Sequence, residues 1–190
     1  METKSMMIVG VGGQGSLLAS RLLGNVLLAQ GYDVKVSEVH GMSQRGGSVV
    51  TYVRYGSEVH SPIVEKGQAD IILSFEQLEA ARWISHLKKG GRLITSTQKL
   101  DPMPVITGAA QYPENILEKL EKMGIDMTAV DALSLACEAG SAKASNVVLM
   151  GVLASQTDFD DAIWQKALEE CVPPKFLELN KKAFELGRNA

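Results

Sequence analysis

Residues Met6 to Gly24 read MMIVGVGGQGSLLASRLLG, and few folds accept such a stretch. Its opening is an uncharged apolar run, the pattern of a strand buried on both faces. Gly10, Gly12 and Gly15 follow at GxGxxG spacing, with Gly13 as an extra glycine. Leu17, Leu18, Leu22, Val26 and Leu27 then recur at helical spacing, and Gly31 supplies a stop. DVKVSEV alternates like a second strand. Strand, tight turn, helix and strand make a βαβ unit, which predicts an α/β chain with an open, mostly parallel, Rossmann-like sheet.

The turn has a clear chemistry. The first glycine permits the bend, the second admits a ligand to the backbone, and the third lets helix and strand pack closely. Free N–H groups at the helix start attract an anion. Glu38 lies where a ribose-binding acid would sit. On this stretch alone, NAD or FAD binding and simple tight packing are both open. Gln14, at the tip, offers a donor and an acceptor, which suits a protein neighbour or water as well as a phosphate.

The next segment, SEVHGMSQRGGSVV, changes the balance. It places Glu38, His40, Gly41, Ser43, Gln44, Arg45, Gly46 and Gly47 where a simple dinucleotide fold has a loop and then a helix. Here polar side chains and paired glycines run into another strand, and they would partly fill the space of an adenosine. Arg45 either pairs with Glu38 or uses its planar fork on a carboxylate or phosphate. Both motifs begin at the carboxyl ends of strands, so they are expected together on one edge.

Further along, SVVTYVRYGSEVHSPIV reads as two extended segments joined around Gly56, a β-rich insertion. ADIILSF and RLITST are strands, with a helix over EQLEAARWISHLKKGG whose lysines occupy its last turn. PVITGAAQYP reads as extended or loop, PENILEKLEKMG as a helix and IDMTAVDA as a strand. The remainder is a helical C-terminal layer, broken near Gly140, capped at Asp158 or Asp160, and divided by Pro173 and Pro174. Leu17, Leu18, Leu22 and Val26 are expected in the core, with Met6, Met7, Met42 and Met150. Trp83 and Trp164 are expected to anchor the core or a subunit contact.

With 190 residues and no repeat or linker, residues 1–190 are read as one domain. A net charge of −3 and 5% aromatic residues argue against nucleic acid. No run suits a membrane span or a signal peptide, so a cytoplasmic protein is expected. The two cysteines, Cys137 and Cys171, lack CxxC spacing and cannot alone hold an iron–sulfur cluster or structural zinc. They are expected to be buried free thiols, and no metal site is expected.

GVGGQGSLLASRLLG, SEVHGMSQRGGSVVTYVR and ADIILSFEQLEAAR together resemble the gamma subunit or domain of the 2-oxoacid:ferredoxin oxidoreductases. Within that family the likeness is greatest to the small (beta) subunit of the indolepyruvate type, and it covers nearly the whole chain. The resemblance implies a non-catalytic subunit of an enzyme that decarboxylates indolepyruvate or another aryl pyruvate and yields an acyl-CoA. Thiamine diphosphate, magnesium and the iron–sulfur clusters would belong to a large partner subunit, with ferredoxin accepting electrons from the complex. This chain has no GDG with a distant NN to hold thiamine diphosphate. Carried over as family motif are Gly10, Gly12, Gly13, Gln14, Gly15, Glu38, His40, Gly41, Gln44, Arg45, Gly46 and Gly47. They are assigned to the subunit interface or the coenzyme A side, and no residue is assigned a catalytic role. No cofactor is expected on the chain alone, and an isolated copy is expected to self-associate through the surface meant for its partner. A stand-alone NAD- or FAD-binding oxidoreductase is the alternative, and a scaffold or sensing domain a third reading.

Overall fold

The computed structural model describes residues 2–40 and 47–190, His40 by its backbone only. Strands β1 (Lys4–Val11), β2 (Asp33–His40), β3 (Ser48–Gly56), β4 (Ala69–Ser74), β5 (Leu87–Ser96) and β6 (Asp126–Val130) form one sheet in the order β2-β3-β1-β4-β5-β6. Helices α1 (Ser16–Ala29), α2 (Gln77–Trp83), α3 (Met103–Ile106), α4 (Ile116–Lys122), α5 (Ala132–Ala139), α6 (Ser145–Ser155), α7 (Asp161–Cys171) and α8 (Leu177–Arg188) complete the described chain. Only β3 runs against the rest. It pairs antiparallel with both β1 and β2, while β1–β4, β4–β5 and β5–β6 are parallel.

This strand order corrects the simple βαβ reading. β2 runs the same way as β1 but not beside it, because β3 fills the gap. The insertion is also simpler than two paired extended segments. β3 has both ladder edges occupied, so residues 57–68 cannot fold back to pair with it. Pro62 removes a donor there. Side chains hold the segment down instead. Val59 N–H donates to Asp33 Oδ2 at 2.8 Å, and Arg54 Nη1 donates to Ser61 O at 3.1 Å.

β1 is buried on both faces, as its composition requires. Met6 and Ile8 face a core built with α1, α6, α7 and α8, while Met7 and Val9 face one built with α2 and α4. The first core contains the C-terminal layer. α6 is buried around nearly its whole circumference and crosses α8 at glycines. A Cβ on Gly187 would meet Val148 O at 1.9 Å, and one on Gly151 would meet Phe184 O at 2.0 Å. Trp164 is fully buried beside Phe184, with ring centroids 5.7 Å apart.

Several local readings change. The helix over EQLEAAR stops at Trp83, a single 3-10 turn follows, and Lys88 already belongs to β5, where Asp70 pairs with it. PVITGAAQYP begins inside the short helix α3. Asp160, not Asp158, caps α7 by accepting from Ala162 N–H at 3.0 Å. Leu17 is 48% exposed and Leu18 half-buried, so the apolar face of α1 begins later than its leucines suggest. Cys137 is exposed and Cys171 only half-buried, and burial pushes the Cys171 thiol upward. Met42 lies outside the described residues.

Candidate functional site

The first glycine loop joins β1 to α1 and is closed by its own glutamine. Val11 N–H donates to Gln14 Oε1 at 2.8 Å, and Gln14 N–H returns a bond to Val11 O at 3.1 Å. The Gln14 amide also donates to Phe75 O at 3.0 Å and Gln98 Oε1 at 3.2 Å. Gln14 therefore spends its donor and acceptor capacity on this chain, stitching the loop to the ends of β4 and β5. Gly10 packs closely here, since a Cβ would lie 3.0 Å from Gln14 Oε1 and 3.2 Å from Phe75 Cβ and would have to push one of them aside. Gly15 starts α1 at φ 86°, where a side chain is strained, and a Cβ would stand 2.3 Å from Asn146 Nδ2. That amide donates to Gly15 O at 3.1 Å. Gly13, also at positive φ, is exposed and has no atom near where a Cβ would stand.

The second motif meets the first. β1 and β2 run the same way, so both motifs leave the carboxyl edge of the sheet, and Gly12 N–H donates to Gly47 O at 2.9 Å. This contact uses one of the loop donors that would otherwise face a phosphate. Gly41, Gln44, Arg45 and Gly46 lie outside the described residues, as does the side chain of His40. Glu38 is half-buried and accepts from Ser20 Oγ at 2.7 Å. With β3 between them, β2 lies two strand spacings from β1, about 10 Å rather than about 5 Å. Glu38 is thus displaced from the place of a ribose-binding acid, which disfavours the dinucleotide reading.

A third group of site residues passes unnoticed in the sequence. SFEQLE, from Ser74 to Glu79, opens α2 at the same edge, and the side chains of Glu76, Gln77 and Glu79 each hold another segment. Glu76, only 1% exposed, caps α2 by accepting from Glu79 N–H at 2.9 Å. Its other oxygen accepts from Leu100 N–H at 3.2 Å and from the Tyr112 hydroxyl. Burial first, and the Glu76 carboxyl second, push the Tyr112 phenol well above its ordinary value. Gln77 donates to Thr97 O at 2.8 Å. Buried Glu79 accepts from Ser48 Oγ, the first residue of β3, and from Arg82 Nε at 3.0 Å. Trp83 Nε1 donates to the same Ser48 hydroxyl at 3.4 Å, which gives that half-buried tryptophan its role.

A cleft of about 460 Å³ opens beside this clasp. α1 leaves β1 toward one face of the sheet and α2 leaves β4 toward the other, so the crevice forms where they part. Gly13, Gln14, Gly15, Phe75 and Gln98 form one wall, and Leu133, Lys143, Asn146 and Leu149 form the other. The Lys143 amine is exposed, and no ion pair holds it among the described residues. A cation, an open glycine backbone and the start of α1 favour an anionic group here. Among the described residues, no three His, Cys, Asp or Glu side chains gather as a metal site, and no helix is long and apolar enough to cross a membrane.

Comparison with known proteins adds independent information. Residues 5–190 match the family model described as pyruvate ferredoxin/flavodoxin oxidoreductase. The indolepyruvate oxidoreductase subunit IorB of Thermococcus kodakarensis is 45% identical over 197 residues, spanning 100% of this chain and 96% of that one. The keto/oxoacid ferredoxin oxidoreductase gamma subunit of Geobacter sulfurreducens has a similar fold, with TM-score 0.72 at 24% identity, covering 98% of this chain and 96% of its own. A 2-oxoglutarate:ferredoxin oxidoreductase from Magnetococcus marinus, solved with 2-oxoglutarate, coenzyme A and succinyl-CoA, matches at TM-score 0.74 and 18% identity. That match covers all of this chain but only 31% of the longer polypeptide.

Proposed function

Because the chain belongs to the pyruvate ferredoxin/flavodoxin oxidoreductase family, we propose that it is the small, non-catalytic subunit of an indolepyruvate-type 2-oxoacid:ferredoxin oxidoreductase. The observation that carries this is the 45% identity with an indolepyruvate oxidoreductase subunit along the whole chain. Residues 1–190 act as one gamma-type domain. Thiamine diphosphate, magnesium and the iron–sulfur clusters reside on a large catalytic partner. The complex works in the cytoplasm, passes its electrons to ferredoxin and releases acyl-CoA and CO2.

The carboxyl edge faces that partner in this reading. Gly10, Gly12, Gly13, Gln14 and Gly15 shape one loop, to which Gly47 is bonded through Gly12, and His40, Gly41, Gln44, Arg45 and Gly46 are assigned as interface or coenzyme A contacts. Gly13 and Lys143 fit a coenzyme A phosphate, as an open backbone and an unpaired cation do. When bound, coenzyme A accepts the acyl group, while this chain's residues hold its anionic end.

The test is reconstitution. The large subunit alone and the small subunit alone should be inactive, and the co-expressed pair should reduce a viologen dye with indolepyruvate and coenzyme A. Full activity in the large subunit alone overturns the subunit role. A higher kcat/KM for pyruvate than for indolepyruvate overturns the substrate class.

A further inference from the structure

We propose that a cavity at the amino edge of the sheet binds an aromatic amino acid whose ring carries an N–H or O–H, tryptophan or tyrosine, with the Tyr55 hydroxyl recognising that group. This site goes beyond the subunit reading above and does not depend on it. The cavity measures about 340 Å³, at the small end of the range of about 300–1,000 Å³ that small-molecule sites occupy. It lies where β1 and β4 begin and β3 ends, and it shares no lining residue with the carboxyl-edge cleft.

Three rings from separate segments line it. Tyr55 lies at the end of β3, Tyr32 follows α1, and Phe159 sits between α6 and α7. Their centroids stand 5.3, 6.4 and 6.3 Å apart at tilts of 54°, 58° and 68°, so no pair stacks face to face. Ring surface of this kind is what an incoming aromatic group packs against. Tyr55 is the deepest of the three, at 2% exposed, yet among the described residues no hydrogen bond reaches its hydroxyl. Burial first, and the Asp70 carboxylate second, push that phenol above its ordinary value, so it stays a neutral donor and acceptor. Buried polar groups are bonded almost throughout native proteins. An open hydroxyl on a cavity wall therefore sets what a ligand must bring, a polar atom on the ring itself.

The exposed rim carries one charge of each sign. Lys4 stands opposite Tyr55 across the β1–β3 ladder, on the same face of the sheet, with Cβ atoms about 5 Å apart. Asp158 immediately precedes Phe159. Both line the cavity, both are exposed, and neither has an ion pair among the described residues. Asp70, the other acid on the lining, is already held by the Lys88 amine and by Ser5 N–H. A ligand that is aromatic at one end and zwitterionic at the other satisfies rings and rim together. A phosphate would answer Lys4 but not Asp158, and a hydrocarbon would leave both charges and the hydroxyl unmet.

The test is calorimetric titration of the full-length chain with L-tryptophan, L-tyrosine, L-phenylalanine and indole. Tryptophan or tyrosine should bind with a dissociation constant below about 1 mM. Phenylalanine, which brings no polar ring atom, and indole, which brings no charges, should each bind about 10-fold more weakly. Tyr55→Phe should erase the preference over phenylalanine while the melting temperature holds, because the hydroxyl removed has no partner in the protein. Lys4→Ala/Asp158→Ala should weaken the amino acids about 10-fold and leave indole unchanged. No heat from either tryptophan or tyrosine up to about 10 mM means that water alone fills the cavity, and it overturns the proposal. Undiminished preference in Tyr55→Phe places the binding elsewhere and overturns it as well, and so does a lower melting temperature in that variant, which makes the hydroxyl a structural group. Wild-type affinity in the charge variant overturns the seat of the amino acid head group.

Discussion

The α6–α8 contact and the carboxyl edge hold this molecule together by opposite means. At α6–α8 two helices touch backbone to backbone at Gly151 and Gly187, inside the larger of the two apolar cores. At the carboxyl edge, Gln14, Glu76, Gln77 and Glu79 reach across turns to Ser48, Phe75, the stretch from Thr97 to Leu100, and Tyr112. Close packing tolerates no added atom but needs no direction. Polar clasps place loops at set angles, and each depends on both partners being present. The first arrangement secures the fold, and the second orients the surface through which the subunit is proposed to work.

Three experiments would break or sharpen that division. The largest effect is expected from Gly187→Ala, whose Cβ would meet Val148 O at 1.9 Å. Overpacking of this kind costs about 3 kcal/mol, which lowers the melting temperature by about 6–12 °C in a chain of this size. A change below about 2 °C in a thermal melt would show that the helices can slide apart cheaply. Gln14→Ala comes next. It leaves Val11 N–H and Phe75 O without their partner, at about 1–3 kcal/mol. Reconstituted activity should fall further than that stability loss explains, and activity loss merely in step with melting would assign Gln14 to the fold alone.

The smallest effect concerns Asp131, which caps α5, the helix linking the cleft to α8. The Ser134 hydroxyl first, and the Ser134 N–H second, hold its carboxyl below the usual carboxylate range. A depressed folded-state value means that the stabilisation is present above the unfolded pKa, near 3.9. It is lost as pH falls through the lower folded value. Asp131→Ala should therefore cost no more than about 1 kcal/mol at pH 7, given solvent screening, and close to nothing at pH 2. Urea midpoints at the two pH values check this, and an equal cost at both would remove the charged cap as the cause.

The glycine loop, α1 and a cap at Asp158 or Asp160 were legible because each depends on local rules: apolar period, positive φ and short-range capping. The meeting of the two motifs on one edge was legible as well, since strand direction alone decides it. The lodging of β3 between β1 and β2 was not, because an alternating strand carries no mark of which neighbour it pairs with. The SFEQLE clasp was missed for a related reason. Glu and Gln in the first turn of a helix read as a solvated face, and only tertiary contact shows Glu76 and Glu79 turned inward. Leu17 was misjudged because helical spacing identifies a stripe but not where the neighbouring layer begins.

The lodging of β3 also bears on how the chain is made. Lys4 pairs with Tyr55 and Met6 with Ile71, so both neighbours of the most apolar strand are synthesised well after it. During translation that strand waits unsheltered, and contacts so distant along the chain form slowly. Early chaperone capture of the nascent polypeptide is the expected consequence, with release only once residues near 74 have emerged to close the sheet on both sides.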